Sequence, residues 1–162
     1  MKASTPALKA LKDAGGTYQL HEDSIDRSTK MLPPNLGAQV AASMGVDDTQ
    51  MFKTLVVVAD GEPYCVVVPV GGRLNLRALA RAVGAKSAKM APRDEAMRLT
   101  GYVLGGVSPF GMRTTLPTVV DESAMDWESI FISAGKRGLV AEIAPKDLVS
   151  TTDAQVGAIA RY

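Results

Sequence analysis

The stretch Thr100–Gly111 reads TGYVLGGVSPFG. Four glycines and a Ser-Pro step fall within these twelve residues, and an apolar piece, Tyr102-Val103-Leu104, runs as a predicted strand into Gly105-Gly106. Adjacent glycines admit positive φ and a close approach of backbone to another group. A loop of this kind can aim N–H groups at a carbonyl oxygen or a phosphate. A second such segment, Ser133-Ala134-Gly135-Lys136-Arg137-Gly138, follows the strand-like Ile130-Phe131-Ile132. Each segment by itself also reads as a plain turn between strands.

The rest of the chain alternates helical and strand signals. Ser4 or Thr5 can cap a helix that Pro6 opens, with Ala7, Leu8, Leu11 and Ala14 at helical spacing and Gly15-Gly16 as its stop. Thr17–His21 is a predicted strand, and Glu22–Asn35 a polar loop ending in Pro33-Pro34. Leu36–Met44 is a short predicted helix. The β-branched runs Phe52–Ala59 and Tyr64–Val70, joined by Asp60-Gly61-Glu62-Pro63, form the clearest hairpin. Both runs are apolar on both faces, which places them in the middle of a covered sheet. Asn75 caps a helix over Leu76–Val83, Lys86–Met90 reads as a strand, and Pro92–Leu99 as a helix. Strands are expected at Leu116–Val120, Ser129–Ser133 and Leu139–Ile143, with a turn near Ser123–Trp127 and a last helix from Pro145. The tail shows no motif. The sum is a mixed α/β domain of about six to seven strands, spanning residues 1–162 as one domain.

Composition narrows the function. There are 162 residues, 46% of them hydrophobic, with a net charge of +1. No apolar run approaches the roughly 20 residues of a membrane helix, and the N-terminus lacks the apolar core of a signal peptide. The single cysteine, Cys65, sits in an apolar run and suits a reducing cytoplasm. One histidine and one cysteine give no zinc-ligand spacing, so neither metal nor cofactor is expected. His21 would have to be the base of any nucleophilic set, and its strand-end position reads better as structural. Charge is uneven. Arg73, Arg77, Arg81, Lys86, Lys89, Arg93 and Arg98 face only Asp94 and Glu95 in their segment. That excess reads either as a solvated surface or as a hold for a phosphate backbone. Lys53 opens an otherwise apolar strand, Thr54–Val58. It is either an exposed strand-end lysine or a cation set to meet an anion or an ester oxygen.

TGYVLGGVSPFG and ISAGKRGL (Ile132–Leu139), with FKTLVV at Phe52–Val57, resemble the YbaK/EbsC family of aminoacyl-tRNA deacylases. The resemblance runs from Thr5-Pro6-Ala7 to about Ile159. It implies a barrel-like mixed sheet with helices packed around it, and a site on the 3′ end of an aminoacylated tRNA. Lys53 matches the family's motif lysine, which positions the terminal adenosine and its ester. Gly105, Ser133 and Gly135 match its catalytic loop positions. Gly106, Ser108, Lys136 and Arg137 match substrate-binding ones, and Asp23 stands where relatives place a tyrosine near the substrate. Ala134 replaces a usual glycine, and the Ser24–Asn35 loop is longer than in relatives.

The family chemistry needs no enzyme nucleophile. The substrate's own thiol attacks its ester, and the protein positions the two groups. The resemblance therefore implies a cytoplasmic trans-editing enzyme for Cys-tRNA(Pro), with prolyl-tRNA synthetase as a partner and neither DNA nor membrane. The alternatives are action on another misacylated tRNA such as Ala-tRNA(Pro), and a non-catalytic RNA- or nucleotide-binding module.

Overall fold

In the computed structural model, residues 4–23, 25 and 35–162 are described. The architecture grows from the hairpin of β2 (Phe52–Ala59) and β3 (Glu62–Pro69). Asp60 and Gly61 both take positive φ, 49° and 84°, as a two-residue type I′ turn requires. The link is thus two residues long, not the four expected, and β3 starts at Glu62. Pro63 fits inside the strand. It faces Val58, one step from the hydrogen-bonded closing pair, so its missing N–H would point away from β2. β6 (Thr118–Asp121) meets β3 only from Cys65 onward, and no ladder bond is lost.

The hairpin lies at the centre of a five-stranded sheet, β5-β2-β3-β6-β9, with β5 at Ala88–Met90 and β9 at Gln155–Gly157. Strand alternation sends Phe52, Val56, Cys65 and Val67 into one core and Val57, Val66 and Val68 into another. The first core includes Leu8 and Leu11 of α1 (Pro6–Asp13) and Leu148 of α5 (Pro145–Thr152). The second includes Leu79 of α3 (Leu76–Ala82) and Ile159. The covered central hairpin read from the sequence is therefore found. Cys65 is fully buried within it, and burial pushes its thiol up to about 12.

A second sheet, β1-β8-β7, is antiparallel, with β1 at Gln19–Glu22, β7 at Ile130–Lys136 and β8 at Leu139–Ile143. A third pairs β4 (Arg73–Leu74) with β10 (Ala160–Arg161). The remaining helices are α2 (Leu36–Met44) and α4 (Arg93–Thr100). Five helices and ten strands are described, more strands than the six or seven expected, and the described strands form three sheets with no closed barrel. The surplus strands β4, β9 and β10 are two or three residues long. That is too short to show a period of two in sequence. The loop expected over Glu22–Asn35 lies largely outside the described residues. Among the described residues no helix is long and apolar enough to cross a membrane.

Two polar side chains fasten the periphery. Thr5 caps α1, its Oγ1 accepting from the Leu8 N–H at 3.1 Å, and the same hydroxyl donates to the Ala134 carbonyl at 2.6 Å. One residue thus starts the helix and pins it to β7. Asp121, 3% exposed, holds the C-terminal tail that carries no sequence motif. Its Oδ1 accepts from the Ile159 and Ala160 N–H groups at 3.0 and 2.9 Å. Its Oδ2 accepts from the Ser123 N–H and hydroxyl. Removing the carboxylate leaves buried donors without acceptors, each costing about 1–3 kcal/mol. Asp121→Ala should therefore lose about 3 kcal/mol in denaturant titration, with amide exchange rising first at Ile159 and Ala160.

Candidate functional site

The residues just before β2 make one backbone bridge to the second sheet. A parallel bridge joins Met51 to Phe131, with the Phe131 N–H donating to the Gln50 carbonyl at 3.1 Å. Beyond it the two strands part, and a cavity of about 250 Å³ opens between them. Its walls are Lys53, Thr54 and Leu55 of β2, Ile132 and Ser133 of β7, Val40 of α2, Val140 of β8, and Gly105 with Val107. Most of this lining is aliphatic. Asp23, Lys53, Thr54, Ser133 and Lys136 supply its polar side chains.

The two glycine-bearing loops meet backbone to backbone. A Cβ on Gly106 would lie 2.9 Å from the Arg137 nitrogen and 3.1 Å from the Lys136 carbonyl carbon. Nothing larger than glycine lets the two main chains approach so closely. The Arg137 side chain locks the contact, its Nε donating to the Leu104 carbonyl at 2.7 Å. On the other loop, the β7–β8 register shifts between Ser133 and Lys136. Gly135, with φ of +92°, sits in that bulge against the Tyr102 ring and Ala7, and its N–H donates to Ser133 Oγ at 3.2 Å. The bulge turns the chain so that Ser133 and Lys136 both reach the cavity.

Tyr102-Val103-Leu104 is not the strand expected. Gly101, with φ of 78°, ends α4 in the left-handed conformation. Tyr102 then buries its ring, and its hydroxyl donates to the Phe110 carbonyl. The segment is an anchored loop because its largest side chain is spent on the core. Burial pushes the Tyr102 phenol up to about 12.

Of the residues singled out from sequence, Asp23, Lys53, Gly105, Ser133 and Lys136 line one cavity. The Asp23 N–H donates to the Gly138 carbonyl at 3.0 Å, which ties the end of β1 to the second glycine loop. The other four are not part of that lining. Gly106 and Arg137 hold the loops together, and Gly135 packs under Tyr102. Ser108 is fully buried, with its Oγ accepting from the Phe110 N–H at 3.3 Å. In sequence Thr54 reads as part of an apolar run. Its Oγ1 is buried without a hydrogen-bond partner, and the signal was a hydroxyl between Lys53 and Leu55.

Lys53 is half-buried, and burial lowers its pKa, with the nearby Arg73 charge as the second cause. No carboxylate pairs with it among the described residues. A desolvated cation without a counter-ion favours an incoming anion or electron-rich oxygen. His21 lies outside this cavity, paired with Glu142 at 2.9 Å, and Glu142 also accepts from the Ser129 hydroxyl at 2.7 Å. The Ser129 bond, then His21, holds the Glu142 carboxyl below its ordinary value. The seven basic residues from Arg73 to Arg98 are all exposed, and none forms an ion pair among the described residues.

The chain matches the family described as an aminoacyl-tRNA editing domain over residues 33–151. EbsC of Enterococcus faecalis, provisionally named a Cys-tRNA(Pro)/Cys-tRNA(Cys) deacylase, is 40% identical over 121 residues, 74% of this chain and 74% of its own length. A proline–tRNA ligase of Geobacter sp. (strain M21) is 38% identical over 84 residues, 52% of this chain and 15% of that much longer one. A solved structure, provisionally described as a trans-editing enzyme for prolyl tRNA synthetase, superposes with a TM-score of 0.81 at 28% identity, covering 99% of this chain and 100% of that one. The matched region includes β2, both glycine loops and, apart from Asp23, the residues that line the cavity between them, and on these grounds the protein belongs to the YbaK family of aminoacyl-tRNA editing domains.

Proposed function

We propose that this chain, as one editing domain over residues 1–162, is a trans-editing aminoacyl-tRNA deacylase that removes cysteine from tRNA(Pro). The observation that carries the reading is the meeting of Lys53, Gly105 and Ser133 at one small aliphatic cavity. The cavity takes a small side chain, and the Lys53 ammonium at its wall, without a carboxylate partner among the described residues, suits the ribose or phosphate oxygens of a tRNA 3′ end. The exposed basic residues between Arg73 and Arg98 are suited to the phosphate backbone beyond it. Membership of an editing family and the likeness to a segment of a proline–tRNA ligase support the same reading, with prolyl-tRNA synthetase as the partner and the cytoplasm as the place of work.

The proposed reaction is carried by the substrate. The cysteinyl sulfur attacks the ester carbonyl carbon, a C–S bond forms, and the bond to the ribose oxygen breaks. The thiol proton ends on that oxygen, and a thiolactone leaves. Lys53 holds the ester end, and the Gly105 backbone N–H faces the carbonyl oxygen as it gains charge. Ser133 closes the opposite wall. Such editing clears a small amino acid that a synthetase pocket rejects poorly by size.

Three outcomes are expected. Lys53→Met should slow single-turnover deacylation of Cys-tRNA(Pro) by about 100-fold or more through lost positioning. Its melting temperature at neutral pH should hold or rise. The lowered pKa means that the native state binds this proton less tightly than the unfolded chain does. The charged side chain therefore costs stability below that pKa, and the cost fades as pH rises through it. A normal rate in the folded variant would remove Lys53 from the site.

Gly106→Ala should cost both rate and stability, because the added Cβ meets backbone and not a flexible side chain. A variant with wild-type kinetics and an unchanged melt would show that the two loops need not touch. Replacing the thiol should also matter. Ser-tRNA(Pro) and Ala-tRNA(Pro) should be cleaved far more slowly than Cys-tRNA(Pro), since the seryl hydroxyl is a much weaker nucleophile near neutral pH and the alanyl methyl is none. Equal rates on all three would replace thiol attack with attack by water.

A further inference from the structure

We propose that the aminoacyl group docks on the open edge of β2 as a strand one residue long, exchanging two hydrogen bonds with the backbone of Thr54. The proposal rests on the deacylase reading above and adds the mode of recognition. It starts from the hairpin register. Ala59–Glu62 closes the two-residue turn as a hydrogen-bonded pair, so Val57, Leu55 and Lys53 also bond to β3. The N–H and C=O groups of Phe52, Thr54, Val56 and Val58 therefore point to the other edge. Two observations agree with this phase. Val56 offers its carbonyl to the Ala91 N–H at 3.0 Å, away from β3, and the Cys65 N–H opposite it donates to Pro117.

Along that outer edge β5 and the residue after it cover the far end. Val58 lies opposite Lys89 of β5, and Val56 is met by Ala91. Just before β2, the Met51–Phe131 bridge closes the edge from the other side. Thr54 falls in the gap, where β5 has ended and β7 has turned away. Among the described residues its outward N–H and C=O have no partner. Its buried Oγ1 has none either. Polar groups left without partners inside a folded protein are few. Thr54 has one such buried group, its Oγ1, beside two outward backbone groups without a partner among the described residues, in the wall of the cavity that also holds Lys53 and Ser133.

An aminoacyl ester matches this edge. It carries an N–H donor and a carbonyl acceptor on either side of one tetrahedral carbon, as a strand residue does. The α-ammonium donates to the Thr54 carbonyl, and the Thr54 N–H donates to the ester carbonyl oxygen. The second bond strengthens as that oxygen gains charge during attack. This is strand addition to a sheet edge, reduced to a single residue. It also imposes chirality. An L residue paired in this way sends its side chain to one face of the sheet, and a D residue sends it to the other.

Nonhydrolysable 3′-amide analogues of aminoacyl-adenosine test the docking apart from turnover. The L-cysteinyl analogue should bind about tenfold or more tightly than the D-cysteinyl and the 3-mercaptopropionyl analogues, the last of which lacks the amino group. The Thr54 amide proton should be protected from exchange by the L analogue alone. Thr54→Val keeps the backbone pair and should keep the L preference. Equal binding of the three analogues, no binding of the L form, or binding without protection of Thr54 would each overturn the proposal. So would loss of the L preference in Thr54→Val, which would assign recognition to the hydroxyl. Failure of the protein to deacylate Cys-tRNA(Pro) would instead strike the functional reading, which the binding series does not use.

Discussion

The bridge between Met51 and Phe131 is the contact on which the site depends. It holds the two larger sheets together at the point where they separate. A strand that stayed paired along its length would have no room beside it, and one that never touched its neighbour would have no fixed wall. β2 does both. It is tied to β7 at one end, covered by β5 at the other, and open between. The burial of its hairpin on both faces makes this edge rigid, since two separate cores grip alternate side chains of the same strands.

The glycine loops complete the wall by an approach that excludes side chains. Gly106 lies against the Lys136–Arg137 backbone, and Arg137 reaches back to Leu104. Behind them Tyr102, Gly135 and Thr5 connect the loops to α1 and β7. Two glycine-rich turns, far apart in sequence, thereby become one surface. In the proposed reaction the protein supplies position and dipoles and leaves the nucleophile to the substrate. That division fits a cavity whose polar side chains are few and whose one half-buried cation has no carboxylate partner among the described residues.

The long periodic or strongly punctuated elements were legible in the sequence. The Phe52–Ala59 run, the Thr5-Pro6 helix start and the Asn75 cap are all found. Their signals are local, set by β-branching, capping chemistry and glycine, which neighbouring residues decide. The family motifs around Lys53, Gly105 and Ser133 also pointed to positions that line one cavity. The Tyr102–Leu104 piece misled because an apolar triplet does not say whether it will pair as a strand or bury one ring.

What only the tertiary structure decided was how segments far apart in sequence divide the work. Gly106, Ser108, Gly135 and Arg137 look the same in sequence as their neighbours that line the cavity, and the fold leaves them out of its lining. The tail appeared featureless because two- and three-residue strands carry no period, and a buried carboxylate at Asp121 orders it across 38 residues of separation. The open position at Thr54 arises from the register of one strand and the ends of two others. A hydrogen-bonding group is unpartnered through what other parts of the chain fail to supply, and that is a property of three-dimensional arrangement that no local stretch of sequence contains.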